Sequence, residues 1–253
     1  MFVCFFILYS CLLPACGGVC KPHTRKNEKT MFSTGDVILG GLFPIRRSVM
    51  EHKSDLNCPN LLGLQWAMTM VFAIREINQN ASLLPNITLG YIIHDDCYAI
   101  PKDLEVGLSF LEAKIHIDED SKKMCSPKAL VGPYSSSQTT VLSTALGLFL
   151  LPQVSYGSSC QCLSDKKRFP SFLRTMSSDI HQIRATIMLI HNFAWLYLGS
   201  IAIDDDYGRS AMAQFVLEVE QLGLCLAFSE ILHQQRWMEV MFSPLSVCLS
   251  AIL

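Results

Sequence analysis

The sequence has no G-x-S-x-G elbow, no Walker glycine loop and no G-x-G-x-x-G fingerprint. Those absences remove the usual signatures of a serine hydrolase, a phosphate cradle and a dinucleotide site. Ser136, Asp179 and His181 contain the residue types of a triad. Asp179 and His181 stand two apart at an expected helix start, however, where they cannot serve as orienter and base. The chain therefore reads as a protein that is not an enzyme. Charge is scarce, at 17% of residues with a net −2, so nothing favours nucleic acid. The uncharged stretch Val240–Leu253 is only 14 residues long and contains Pro244. A spanning helix needs roughly 20 apolar residues. Cys160-Gln-Cys162 has no His/Cys partner set, so no metal and no cofactor is expected. The pair reads as a loop disulfide or as free thiols, and its connectivity, like that of Cys225, stays open. Asp204–Asp206 lacks EF-hand spacing and reads as a solvated loop.

What is present points to a secreted globular chain. Apolar residues make up 50% of 253, enough for a sizeable core, and eleven cysteines suit an oxidising compartment. Residues 1–18 are apolar, with an h-region at Phe2–Leu13 and small residues at Ala15–Gly18. They read as a signal peptide, against the alternative of a membrane anchor. Residues 19–34 are polar and read as an exposed lead-in. Asn80-Ala-Ser82 and Asn86-Ile-Thr88 are glycosylation sequons.

From Gly35 strands and helices alternate. Val37–Phe43, Thr88–His94, Ala129–Gly132, Gln153–Ser155, Tyr197–Ile203 and Cys225–Glu230 read as strands. Leu61–Asn78 reads as an amphipathic helix with Leu64, Ala67, Met68, Val71, Ile74 and Ile77 on its apolar face. Further helices are expected at Leu104–Leu111, Thr139–Leu148, His181–Phe193 and Ser210–Leu222. Such alternation predicts an α/β fold with parallel sheets covered on both faces. Ligands of these sheets sit beyond the carboxyl ends of strands. Ser135–Ser137, Ser158–Ser159, Asp179 and Asp204–Tyr207 all follow expected strands. Serine hydroxyls and free backbone N–H groups suit a carboxylate, and a lone aspartate suits an ammonium. The competing reading is a set of ordinary loop serines and an N-cap aspartate.

Several segments, in order, resemble a known family: GDVILGGLFPI, QWAMTMVFAIREIN, LLPNITLGYIIHDDC, ALVGPYSSS, the stretch PQVSYGSSCQCLSDKKRFPSFLRTMSSD, and DDDYGR. They resemble the extracellular ligand-binding (Venus flytrap) domain of class C G-protein-coupled receptors, near the calcium-sensing, vomeronasal type-2 and fish odorant or taste receptors. The likeness runs from about Gly35 to about Gln235.

The resemblance implies a two-lobed, periplasmic-binding-protein-like fold that closes on its ligand. Lobe 1 would be residues 35–178 and lobe 2, incomplete, residues 179–235, followed by a divergent tail at 236–253. It implies a free amino acid or related small ligand. Ser136 would contact the carboxylate, and Gly157, Ser158 and Ser159 would form the small loop around the α-carboxylate and α-amino group. Asp179 would face the amino group, with Tyr207 at the lobe 2 edge and Trp66 near the site. It also implies a Cys58–Cys97 disulfide, an intersubunit role for Cys125, and a homo- or heterodimer of class C receptor subunits. The G protein would be reached only through a transmembrane part outside this sequence. The expected location is the secretory pathway, and then the outer face of the plasma membrane as part of a receptor. A secreted binding or decoy subunit is the alternative, and the chain reads as a fragment or truncated product.

Overall fold

The computed structural model describes residues 30–48, 57–115 and 126–232. The expected signal peptide at 1–18, Cys125 and the tail from 236 onward lie outside the described residues. The chain divides into two compact units. The first runs to Ser158 and includes Asp165–Met176; the second holds Ser159–Ser164 and the chain from Ser177 onward. Ser159 thus goes with the second unit, and the division falls at 177.

The first unit is built on a six-stranded sheet. Its strands are β1 (Met31–Ser33), β2 (Val37–Phe43), β5 (Leu89–Asp95), β6 (Ala129–Val131), β7 (Gln153–Ser155) and β8 (Phe172–Arg174), in the order β1-β5-β2-β6-β7-β8. β1 is an antiparallel edge; every other pairing is parallel. β3 (Arg46–Ser48) and β4 (Asn57–Pro59) form a separate antiparallel pair. Val-Ile-Leu-Gly-Gly-Leu-Phe of β2 is near-continuously apolar because it lies between two strands and under helices on both faces.

Alternation along β2 sorts its side chains. Ile38 and Leu42 join Ile92, Val106, Phe110, Leu130, Leu142 and Leu146, the layer under α2 (Ile100–Ile115) and α3 (Ser136–Gly147). Phe43 joins Ala67, Met70, Val71, Ile74, Leu89 and Ile93, the layer under α1 (Leu61–Gln79). The α1 face differs from the sequence expectation. Leu64 and Met68 are 38% and 47% exposed, and Met70 is buried instead. The 3.6-residue period centres the stripe on Ala67, Val71 and Ile74, and Met70 lies closer to that line.

The second unit has β9 (Tyr197–Ile203) parallel to β10 (Cys225–Leu232), with α4 (Asp179–Asn192) and α5 (Asp206–Gln221) packed together. Its core gathers Ile183, Ile187, Ile190 and Val219.

The expected lead-in at 19–34 contains β1 at its end. Met31–Ser33 is short and its polar flanks hide it, yet it finds unpaired backbone groups on the edge of β5. α3 and α5 begin three and four residues before the apolar period does, because polar first turns carry no periodic signal. These early starts place Ser136 and Tyr207 inside first turns. Among the described residues, no helix is long and apolar enough to cross a membrane.

Candidate functional site

The candidate residues fall into two groups, one on each unit. In the first unit, Ser136 opens α3 and Gly157–Ser158 follow β7, so both stand at the carboxyl edge of the sheet. Ser136 is 3% exposed. Ser135, the α3 N-cap, is extended and makes no side-chain cap.

The hydroxyl of Ser158 is taken up by the protein itself. It lies 2.6 Å from Thr139 Oγ1 and 3.1 Å from the carbonyl oxygens of Tyr134 and Ser135, and it accepts from Ser155 Oγ at 2.8 Å. Ser155 Oγ also accepts from the Ser158 amide at 3.0 Å. Ser158 therefore ties the β7 loop to the start of α3. Its hydroxyl is thus engaged within the protein, at a residue for which the resemblance implied ligand contact.

Gly157 is fixed by crowding. A Cβ there would meet Tyr134 Cδ2 at 2.2 Å. Trp66 stacks on Tyr134 with centroids 4.8 Å apart, and Tyr156 joins them at 5.3 Å from Trp66 and 5.2 Å from Phe43. Sequence reasoning found Trp66 but missed Tyr134 and Tyr156. Their only sequence signal is position, each directly before the small residues of a strand-end loop.

In the second unit, Asp179 is the first residue of α4 and is 6% exposed; its amide donates to the Ser159 carbonyl at 3.0 Å. The N-cap is Ser178, which makes no side-chain cap. The N-cap reading of Asp179 is thereby corrected. At N1 its charge gains from the helix dipole but does not cap the turn. Buried Ser178 Oγ has no hydrogen-bond partner among the described residues, and sequence reasoning missed it too.

Tyr207, 40% exposed, lies in the first turn of α5. The acidic run before it has structural partners. Asp205 caps α5 by accepting from the Gly208 amide at 2.7 Å, and Asp204 pairs with Arg209. Among the described residues, no three His, Cys, Asp or Glu converge as a metal site would need. Cys160 and Cys162 are joined in a disulfide at the turn Gln161–Ser164. Cys225 is an exposed thiol.

Cys97 is a free thiol in this structure, so the expected bond to Cys58 is not made here. Its backbone is turned to φ 52°, and its amide donates to Asp95 Oδ1 at 3.0 Å. The strand pairing still brings the two positions to one corner. β4, which carries Cys58, lies beside β3, and Arg46 of β3 holds Asp95 with Nε–Oδ2 at 2.5 Å.

Both sequon asparagines are exposed. Asn80 Oδ1 accepts from the Ser82 hydroxyl at 2.6 Å, within its own sequon. Asn86 has φ 59°, at the turn before β5.

Comparison with known proteins identifies the family. Residues 65–245 match the family described as "Receptor family ligand binding region". The chain is 41% identical over 249 residues to the extracellular calcium-sensing receptor of Bos taurus, covering 90% of this chain and 22% of that receptor. It is 35% identical over 248 residues to the human G-protein coupled receptor family C group 6 member A, covering 92% of this chain and 26% of that receptor. It is 36% identical over 215 residues to mouse taste receptor type 1 member 3, covering 79% of this chain and 25% of that receptor. The chain thus spans about a quarter of the length of the curated relatives it matches. With its mostly parallel α/β architecture and these matches, the chain belongs to the receptor ligand-binding-region family, as the extracellular ligand-binding region of a class C G-protein-coupled receptor.

Proposed function

We propose that the chain is the amino-acid-sensing region of such a receptor and acts on the extracellular side of the plasma membrane. The observation that carries this reading is the opposite chemistry of the two groups. The first unit offers the start of α3 with Ser136, a helix N-terminus whose first backbone N–H groups suit a carboxylate, held in place by the Gly157–Ser158 loop. The second offers the buried carboxyl group of Asp179 beside Ser159, suited to an ammonium. Trp66 and Tyr207 supply aromatic faces, which attract a cation. A free amino acid carries a carboxylate of the kind the first surface suits and an ammonium of the kind the second suits.

Ligand binding would act on the G protein through parts of the receptor outside this sequence. A second receptor subunit is the expected partner. Leu108, Leu148, Phe149 and Leu150 are 47%, 82%, 44% and 70% exposed on and after the packed helices α2 and α3, the kind of apolar surface that a subunit covers.

Titration calorimetry of a panel of free amino acids against wild type, Asp179→Asn and Ser159→Ala tests the reading. Losing one partner of a buried charge pair costs about 3–5 kcal/mol, so Asp179→Asn should nearly abolish binding. Ser159→Ala should cost about 1.5–3 kcal/mol, the value of a hydrogen bond to a charged group. Unchanged affinity in Asp179→Asn would remove Asp179 from the site and the amino-acid reading with it.

A further inference from the structure

Beneath the carboxyl edge of the first sheet lies a group that the ligand site does not use. Asp96 opens the turn after β5, Asp103 stands in the first turn of α2, and Gln138 stands in the first turn of α3. All three are buried, at 0%, 0% and 2% exposure. Gln138 Nε2 donates to Asp103 Oδ2 at 2.5 Å, and Asp96 Oδ1 accepts from the Tyr98 amide at 2.8 Å. One oxygen of each side chain, Asp96 Oδ2, Asp103 Oδ1 and Gln138 Oε1, has no hydrogen-bond partner among the described residues.

Among the described residues, no Lys or Arg pairs with either carboxylate, and buried His94 packs edge-on against Phe110. Charged and titratable groups on the packed elements are His94 and Asp95 of β5, Cys97, Lys102 and Glu105 of α2, and Tyr156 after β7. Asp95 holds Arg46, and Lys102 pairs with Glu105 at 3.0 Å. α3 contributes no charged residue. Two ionised carboxyls here would be buried, mutually repelling and short of donors. A proton on each removes the charge and turns an orphaned acceptor into a donor. Gln138 Oε1 is an acceptor waiting for one.

We propose that Asp96, Asp103 and Gln138 form a buried proton-binding cluster that holds the first turn of α3 in place when protonated and loosens it when the protons leave. Gln138 links the cluster to the segment that carries Ser136 and Thr139, so the device lies directly under the serine loop. Burial pushes the Asp96 carboxyl up to about 7, with the charge of Asp95 adding to it. Burial and then the charge of Asp96 push Asp103 up to about 8. The dipole at the start of α2 favours the anion, but it is small beside the cost of burying a charge. In the unfolded chain both groups titrate near about 3.9. The folded chain therefore holds the extra protons, and stability falls as pH rises from about 4 through about 8.

The test is thermal melting of the full chain between pH 5.5 and 8.5 in a chelator, for wild type, Asp103→Asn and Asp96→Asn. Each variant keeps the side chain's shape while removing one titration. Wild type should melt several degrees lower at pH 8.5 than at pH 5.5, and each variant should lose about half of that slope. Amide exchange, corrected for its intrinsic pH dependence, adds a readout that needs no variant. Protection of residues 136–140 should drop between pH 6 and pH 8.5, while that of Leu39–Leu42 in β2 should not. A pH slope unchanged in both variants overturns the proposal. So does stabilisation of wild type by added calcium at pH 8.5 that Asp103→Asn lacks, which would assign the three oxygens to a metal ion.

Discussion

In the first unit β2 is covered on both faces, and its last four residues are all buried. In the second, β9 alternates exposed and half-buried along its whole length, with Tyr197, Ile201 and Ile203 at 71%, 51% and 50% exposure. Among the described residues, two layers of core, under α1 and under α2 and α3, hold the first sheet, whereas one small cluster holds the second. The serine loop and the aromatic stack therefore sit on a frame that resists local opening, and Asp179 and Tyr207 sit on one that opens at lower cost.

The largest expected effect sharpens that contrast. Leu142→Ala, at 0% exposure within the α2–α3 layer, should cost about 2–5 kcal/mol. Ile187→Ala, at 7% exposure in the second unit, should cost close to the lower end of that range. Urea unfolding followed by amide exchange should show the second unit opening first, with Leu142→Ala moving only the later transition. A single transition, shifted equally by both changes, would break the comparison.

Two glycines give the next effect. Gly157→Ala drives a Cβ into the Tyr134 ring, which Trp66 holds by stacking, and should cost about 1–3 kcal/mol. Gly223, just past α5, has φ 66° and open space around it, so Gly223→Ala meets only backbone strain of about 1–2 kcal/mol. Relief by Tyr134→Ala distinguishes them, because it should rescue Gly157→Ala in part, the Tyr134 carbonyl at 2.8 Å remaining, and give Gly223→Ala no relief. Melting temperatures of the four variants decide this.

Two ion pairs give the smallest. Asp95 is 7% exposed and takes both the amide and Nε of Arg46, at 3.1 and 2.5 Å. Arg46→Ala leaves that carboxylate short of a charged donor and should cost about 1–3 kcal/mol. Arg209 is 60% exposed at its side chain where it meets Asp204, so Arg209→Ala should cost less than about 1 kcal/mol. Raising the salt concentration should shrink the Arg209 effect and barely touch that of Arg46. Equal and equally salt-sensitive losses would mean that the first unit is no better shielded than the second.

The sequence alone determined the longer strands and helices, because periodicity and β-branched runs are local, and it left the three-residue strands β1, β3, β4 and β8 unmarked. Val37–Phe43, Gln153–Ser155 and Tyr197–Ile203 emerge as expected to the residue. Motif order also pointed to the family. What the sequence could not determine are contacts between distant residues. Ser158 looked like a ligand group, and only the approach of Thr139 and Ser155 shows its hydroxyl taken up. β1 was hidden because three residues carry no period, and its partner lies some sixty positions away. Asp96, Asp103 and Gln138 carry no periodic or motif signal, and only the β5–α2–α3 packing buries them together. Burial and pairing are decided by which faces meet, and a spacing rule within one element carries no record of that.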